Sequence, residues 1–469
     1  MNAPARGGTL LARHALLPGG WANDVAIGWN ADGVITSVDA DADADADAAA
    51  RTADTAAATA HFVIPGMVNL HSHAFQRAMA GLAETAGGTA DNFWSWRELM
   101  YRYAGRITAA QLQAVAAQLH VDCLRHGYTA VCEFHYLHRE PDGASCARPA
   151  AMAEAVAQAA RDTGIGLTML PVLYAHGGFG GQPLGPHQQR FRSDVEQVLT
   201  IVEALSALRC GQFEVGAAPH SLRAASLDQI AALALALPAG RPLHIHIAEQ
   251  QAEVDACLAH ARLRPVAALM GRLDIDARWC LVHATHLDAA ELAALAASGA
   301  VAGLCPSTEA NLGDGLFALP AFIAAGGRFG IGSDSHVGHS PVEELRWLEY
   351  GQRLRQQRRL IAVDGGQRRV GDYLWQAALR GGAQASGRPV GALAVGQRAD
   401  LLVLDDAHPN LAGAATDEVL GLFLFAGNDN LVRDVLVGGR RVIEGGRHAT
   451  QDEVARRYRA ALAQLRERP

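Results

Sequence analysis

The sequence predicts an α/β fold, a (β/α)8 TIM-type barrel with a small β-sandwich domain formed from both chain ends. Three observations lead there. Short apolar runs alternate with helix-like stretches from Ile64 to about residue 390. Strand-like patterns occur before residue 40 and return after residue 390. Polar side chains of metal-binding type stand at the ends of the apolar runs, where such barrels keep their reactive groups.

Residues 9–38 alternate apolar segments with turn signals (Pro18-Gly19-Gly20, Asn30-Ala31-Asp32-Gly33), as antiparallel strands do. A low-complexity Asp/Ala tract follows over 39–60 and reads as a solvated loop. Eight apolar runs then read as barrel strands: 67–71, 129–136, 167–175, 214–220, 243–249, 280–283, 301–306 and 329–334. Helical patterns lie between them, at 109–125, 193–208, 288–298 and 342–357 among others. Beyond residue 390 the runs 399–404, 432–437 and 438–443 are strand-like and suited to pair with the N-terminal strands, and 451–466 reads as a helix. The expected division is therefore 1–65 and 391–469 for the small domain and 66–390 for the barrel.

With 469 residues, 50% hydrophobic and 19% charged, the chain can bury a large core. A formal net charge of −8 argues against a nucleic-acid partner, which selects a basic face. The 7 cysteines stand singly, without a CxxC pair, which points to a reducing compartment. No signal-peptide pattern and no apolar run of membrane-spanning length is present, so a cytoplasmic protein is expected. There is no lysine; arginine supplies every basic side chain.

The chemistry lies in a set of histidines. His71-Ser72-His73 ends the first barrel run, and strand alternation puts residues i and i+2 on one face, so both imidazoles converge in the barrel mouth. One HxH is a weak signal, since a hydrogen-bonded histidine pair explains it equally well. His246 in the fifth run, His283 ending the sixth and Asp334 ending the eighth change the balance. Buried polar groups need partners, and packing alone does not place five of them at the same end of one barrel. They form a candidate site for activating water with a divalent metal.

These residues, with the lead-in Ile64-Pro65-Gly66-Met67-Val68-Asn69 and the stretch GALAVGQRADLLVLD after Val390, resemble the amidohydrolase superfamily over most of the chain. The resemblance implies His71, His73, His246 and Asp334 as metal ligands and His283 as a catalytic residue beside the metal. Two-metal members generally use a carboxylated lysine bridge. Without lysine one metal per subunit is favoured, a glutamate or cysteine bridge remaining formally open. Imidazole and carboxylate ligands suit Zn²⁺ or Fe²⁺; the resemblance favours zinc.

Glu249 follows His246 by three residues. It could be a surface residue opening a helix, but HxxE here resembles the deaminating members of the superfamily, where that glutamate shuttles protons. The logic suits attack on a C=N carbon: a metal brings the pKa of water to about 7, Asp334 takes its proton, His283 polarises the group attacked, and Glu249 protonates the nitrogen.

Substrate choice falls to the loops. Arg97 and Arg223 come from loops on one barrel face, and guanidinium groups bind carboxylates in paired hydrogen bonds, so two arginines suit a dicarboxylate. The segments LHSHAFQRAMAGLAE, FWSWRELMYRYA, FHYLH, APHSLR, HIHIAEQ, LVHATH and GIGSDSH closely resemble the branch that deiminates a linear N-formimidoyl dicarboxylate. That resemblance implies Gln76, Arg97, Tyr136, His220 and Arg223 as substrate-binding residues, and makes the Asp/Ala tract a local insertion. It also implies a homodimer. The alternatives are a deaminase of guanine or an adenosine-like base, whose pocket would call for base-stacking groups, and a non-catalytic barrel, which would lack ligands.

Overall fold

The computed structural model describes residues 7–40, 58–86 and 93–467. Three strands open the chain, β1 (Gly8–Leu17), β2 (Gly20–Trp29) and β3 (Ile35–Asp39), followed by β4 (Ala58–Pro65). Asn30 makes the turn before β3, its Oδ1 accepting from the backbone N–H of Asp32 and Val34 at 3.0 Å each. Most of the Asp/Ala tract, 41–57, lies outside the described residues, while its last three residues, 58–60, already belong to β4.

The barrel strands are β5 (Met67–Ser72), β6 (Tyr128–His135), β7 (Gly166–Leu173), β8 (Phe213–Val215) with β9 (Ala218–Pro219), β10 (Leu243–Ile247), β11 (Trp279–His283), β12 (Val301–Leu304) and β13 (Arg328–Ile331). They are parallel neighbours in chain order. The expected fourth strand is in two pieces because Gly216 and Ala217 turn aside to close the barrel. Ala217 bridges Leu243, and a Cβ on Gly216 would stand 2.3 Å from the Pro242 carbonyl. The other closure joins β5 to β13 through a Ser72–Asp334 bridge. The helices between strands carry local start signals: Thr108, Ser226 and Asp288 each cap a helix with a reciprocal Gln or Glu three residues on.

The helix Val370–Ser386 lies across the floor of the barrel. Gly381 packs on β13 so closely that a Cβ there would stand 1.9 Å from the Phe329 carbonyl oxygen. Its last turn accepts from two strands, β10 and β7: His244 Nε2 bonds the Ala385 oxygen and Thr168 Oγ1 the Ser386 oxygen, both at 2.8 Å.

Both chain ends meet in one sheet of eight strands, ordered β17-β16-β15-β14-β4-β1-β2-β3, with β14 (Leu401–Leu404), β15 (Val432–Val437), β16 (Arg440–Glu444) and β17 (Arg447–His448). The expected pairing of the two ends is made by β14 on β4, antiparallel. Strand alternation explains the docking. Leu401 and Val403 enter the core of the small domain, whereas Leu402 and Leu404 enter the barrel core. The last helix, Gln451–Arg466, packs on Ala109–His126, with Gln111 Nε2 donating to Gln464 Oε1 at 2.9 Å.

Two glycines test the floor contact. Gly381→Ala should lower the urea midpoint by the equivalent of about 1–3 kcal/mol, the usual cost of overpacking. Gly421→Ala, in the helix Val419–Phe425 where an added Cβ meets nothing within 4 Å, should leave the midpoint unchanged or raise it by up to about 1 kcal/mol.

Candidate active site

The ligand residues themselves form the closing seam of the barrel. Asp334 N–H donates to the His71 carbonyl at 3.0 Å, and His73 N–H donates to the Asp334 carbonyl at 3.3 Å. Four side-chain atoms, one each from His71, His73, His246 and Asp334, lie within 4.8 Å of one another. His71 Nε2 is 3.1 Å from His73 Nε2 and 3.0 Å from His246 Nε2, and Asp334 Oδ1 is 3.3 and 3.1 Å from the His71 and His73 nitrogens. A tetrahedral ion with bonds near 2.0–2.1 Å would separate its ligands by roughly 3.3 Å, so the cluster has the right size for one divalent cation.

Outer partners set the tautomers. His73 Nδ1 is 2.9 Å from the Phe134 carbonyl and His246 Nδ1 is 3.1 Å from the His220 carbonyl. A carbonyl only accepts, so each ring carries its hydrogen on Nδ1 and turns the Nε2 lone pair inward. Burial pushes His71 down to about 3 and His246 well below the usual histidine range, which keeps both neutral. Burial alone would raise the Asp334 carboxyl, but the adjoining His71 and His73 rings outweigh it and hold it well below the carboxylate range. Neutral imidazoles and an ionised carboxylate are the forms a metal takes.

Beneath the cluster runs a buried polar chain. Asn69 donates to Ser333 Oγ at 2.6 Å; Ser333 Oγ and Ser72 Oγ flank the two nitrogens of His336 at 3.0 and 3.2 Å. Ser72 donates to Glu133 at 2.7 Å, and Glu133 also accepts the Ala74 N–H at 2.8 Å. Burial lifts the Glu133 carboxyl to about 7. This chain ties β5, β6 and the turn after β13 together behind the ligands.

His283 stands beside the cluster. Its Nδ1 faces Glu309 Oε1 at 3.4 Å, and its Nε2 lies 4.0 Å from both Glu249 Oε1 and Asp334 Oδ2. Burial would lower this ring, but Glu249, Glu309 and Asp334 overcome it and lift it to about 10. Strand ends here bend sharply. Ala248, His283, Ala284, Asp334 and His336 all take positive φ, between 45° and 69°, a conformation that side-chain-bearing residues adopt where surrounding structure enforces it. The turn at Ala248 ends β10 two residues short of the expected limit and sends Glu249 into the cavity.

The cavity above is narrow, with about 60 Å³ of open space. His73, His246, Glu249, His283 and Asp334 line one end; Gln76, Arg97, Tyr136, His220 and Arg223 line the rest. Every expected site residue thus faces it except His71, which is fully buried beneath. Gln76 and Tyr136 are joined by a 2.8 Å hydrogen bond. Arg97 and Arg223 both act on Tyr101 and on His220, so they address one region. Burial would lower Arg223, but the neighbouring carboxylates of Glu253 and Glu249 raise it.

The sequence reading missed Trp96, Met100, Tyr101, Tyr174, Phe191 and Leu312, which also line the cavity. Three of them had a signal. Met100 and Tyr101 share the helical face of Arg97 on Phe93–Ala104, three and four residues on, and Trp96 precedes it by one. Phe191 and Leu312 come from short elements without chemical signature. Glu309, one turn into Pro306–Leu312, gave no sign of reaching His283.

The amidohydrolase family profile matches residues 62–442, and that of the formimidoylglutamate deiminase HutF N-terminal domain matches residues 9–51. A formimidoylglutamate deiminase of Pseudomonas aeruginosa is 53% identical over 457 residues, 97% of this chain and 99% of that protein. Among solved structures, an amidohydrolase from Brucella melitensis superposes with a TM-score of 0.91 at 45% identity, covering 98% of this chain and 99% of that one. An adenosine deaminase from Xanthomonas campestris with bound zinc shares the fold, with a TM-score of 0.78 at 19% identity over 98% of both chains. The chain belongs to the amidohydrolase family, among its formimidoylglutamate deiminases.

Proposed function

We propose that this enzyme hydrolyses N-formimidoyl-L-glutamate to N-formyl-L-glutamate and ammonia, a step of histidine degradation, at one divalent metal per subunit. The 53% identity along 97% of the chain to a formimidoylglutamate deiminase carries this reading. The cavity supports it independently: metal-ligand atoms at one end and two arginines bearing on one region fit an amidine tethered to carboxylates.

His71, His73, His246 and Asp334 would hold the cation; three imidazoles and a carboxylate suit Zn²⁺ or Fe²⁺, and the family resemblance favours zinc. When bound, such a cation acidifies water and so supplies a nucleophile near neutral pH. The chain's residues do the rest. Asp334 turns Oδ1 to the histidines and Oδ2 to His283, and so can take the proton of the attacking water. His283, held by Glu309, presents Nε2 to the space between Asp334 and Glu249. Glu249 delivers protons to the amidine nitrogen, which raises the electrophilicity of the carbon and turns that nitrogen into departing ammonia. The C–N bond breaks as the carbonyl of the formyl product forms. Arg97 and Arg223 bind one carboxylate, while Gln76, Tyr136 and His220 supply hydrogen bonds to the other.

A purine deaminase fits less well. The zinc-bound adenosine deaminase shares the fold at 19% identity, and a half-buried arginine beside a second one suits a carboxylate better than a base. The full ligand set argues against a non-catalytic barrel. The domain division at residues 65 and 390, a homodimer and a cytoplasmic location complete the proposal. All seven cysteines are free, and among the described residues no helix is long and apolar enough to cross a membrane.

Three measurements test the reading. Chelation should abolish ammonia release from N-formimidoyl-L-glutamate and lower the Tm, since a ligand at 100 times its Kd stabilises by about 2.7 kcal/mol; zinc should restore both. Unchanged activity with under 0.1 equivalent of metal would refute the metal centre. Glu249→Gln should keep full metal content but lose about 10²–10⁴-fold in kcat. Arg223→Met should act mainly on KM, by about 10-fold or more, because a charged hydrogen bond is worth roughly 1.5–3 kcal/mol.

A further inference from the structure

At the end of the cavity away from the metal ligands, two phenols accompany the arginines. Tyr101 and Tyr174 both line the cavity, and both are buried. Arg97 lies over the Tyr101 ring at 5.4 Å, and both phenols act on Arg223. Behind them stands Gln188, in the short helical turn Pro186–Phe191. Its Oε1 accepts the backbone N–H of Gly185 at 2.8 Å. That bond settles the orientation of the amide, because a backbone N–H can only donate. The Gln188 NH₂ therefore donates, and its recorded acceptor is the Tyr174 hydroxyl at 3.0 Å. The same side chain also stands near the Tyr101 hydroxyl.

A hydroxyl whose oxygen accepts from an amide has its own hydrogen left to give. Among the described residues, no hydrogen bond runs from the Tyr101 or Tyr174 hydroxyl to a protein acceptor. Two O–H donors and two guanidinium groups thus address one region, and the nearest amide faces it with donors too. The chemistry that satisfies such a set is an anion with several acceptor oxygens on a small centre, a carboxylate.

Resting on the substrate read above, we propose that Tyr101 and Tyr174 are substrate-binding residues that donate to the carboxylate held by Arg97 and Arg223. Gln188 is the positioning residue that aims the Tyr174 hydroxyl, and together the three select a diacid over a substrate ending in a methyl group. The anchor explains why a neutral side chain is used behind the phenols: a carboxylate in place of the amide would accept the Tyr174 hydroxyl hydrogen and leave none for the ligand.

The test compares N-formimidoyl-L-glutamate with N-formimidoyl-L-norvaline, which has the same chain length and lacks the terminal carboxylate. Metal content is measured on every preparation. Tyr174→Phe should lower kcat/KM on the diacid by about 10- to 100-fold, carried by KM, the range expected for one hydrogen bond to a charged group. The preference for the diacid over norvaline should narrow by the same factor. Gln188→Leu should narrow it in the same direction, and Gln188→Glu more strongly. Equal losses on both substrates would mark Tyr174 as merely structural and overturn the proposal, as would an unchanged preference. A metal-loaded wild-type enzyme inert toward the diacid would instead overturn the substrate reading, and this proposal with it.

Discussion

Barrel closure and metal-site assembly are one event in this protein. The strand pair that closes the barrel, β5 against β13, is held at its upper end by backbone hydrogen bonds of His71, His73 and Asp334. Their side chains bring nitrogen and oxygen lone pairs to about 3 Å of one another, a repulsive arrangement unless a cation sits among them. The cost is carried by closure of the whole sheet and by the buried chain from Asn69 to Glu133. Gly332 shows how tight the seam is: a Cβ there would stand 2.8 Å from the His71 backbone nitrogen. Glycine at this position lets the two strands approach until the ligands converge.

Charge in the cavity is graded along its length. Around His283 stand Glu249, Glu309 and Asp334, a negative end that suits a cation and proton transfer. At the other end Arg97 and Arg223 meet phenol hydroxyls. Arg223 has Glu249 and Glu253 on one side and the phenols on the other, so its charge is partly balanced without a ligand. This resolves the difficulty of burying a guanidinium, because an unpaired one would be too costly to keep. Asp314, just behind Glu249, illustrates the opposite limit: burial and the neighbouring Glu249 push it up to about 9, which favours its neutral form. A fourth negative charge would not be tolerated there.

Periodicity and residue chemistry were legible along the chain. Alternating apolar runs marked each barrel strand, the capped helices began where Asp288 and similar residues stand, and 451–466 was helical as its pattern implied. Histidines at strand ends were readable because a strand has a period of two and its end faces the barrel mouth. Glu249 was readable for its spacing from His246. By contrast, the break in the fourth strand depends on how closely Pro242 approaches Gly216, a contact between two successive strand segments that meet only in the folded barrel. The two HxH motifs look alike as sequence, yet His244 bonds the Ala385 carbonyl on the barrel floor while His246 joins the ligands. Only the position of the floor helix separates them.

The metal cluster that anchors the whole reading was thus visible in one dimension, as ligand-type residues at strand ends and an absence of lysine. Local rules suffice for that, since strand alternation and residue type do not depend on distant contacts. The partners of those residues were decided by folding. Glu309 reaches His283 from another strand-end helix, Glu133 supports the ligands from the neighbouring strand, and Gln188 holds the Tyr174 phenol beside the arginines. Each is a polar residue whose role is set by what closure brings within 3.5 Å of it, and spacing along the chain carries no record of that distance.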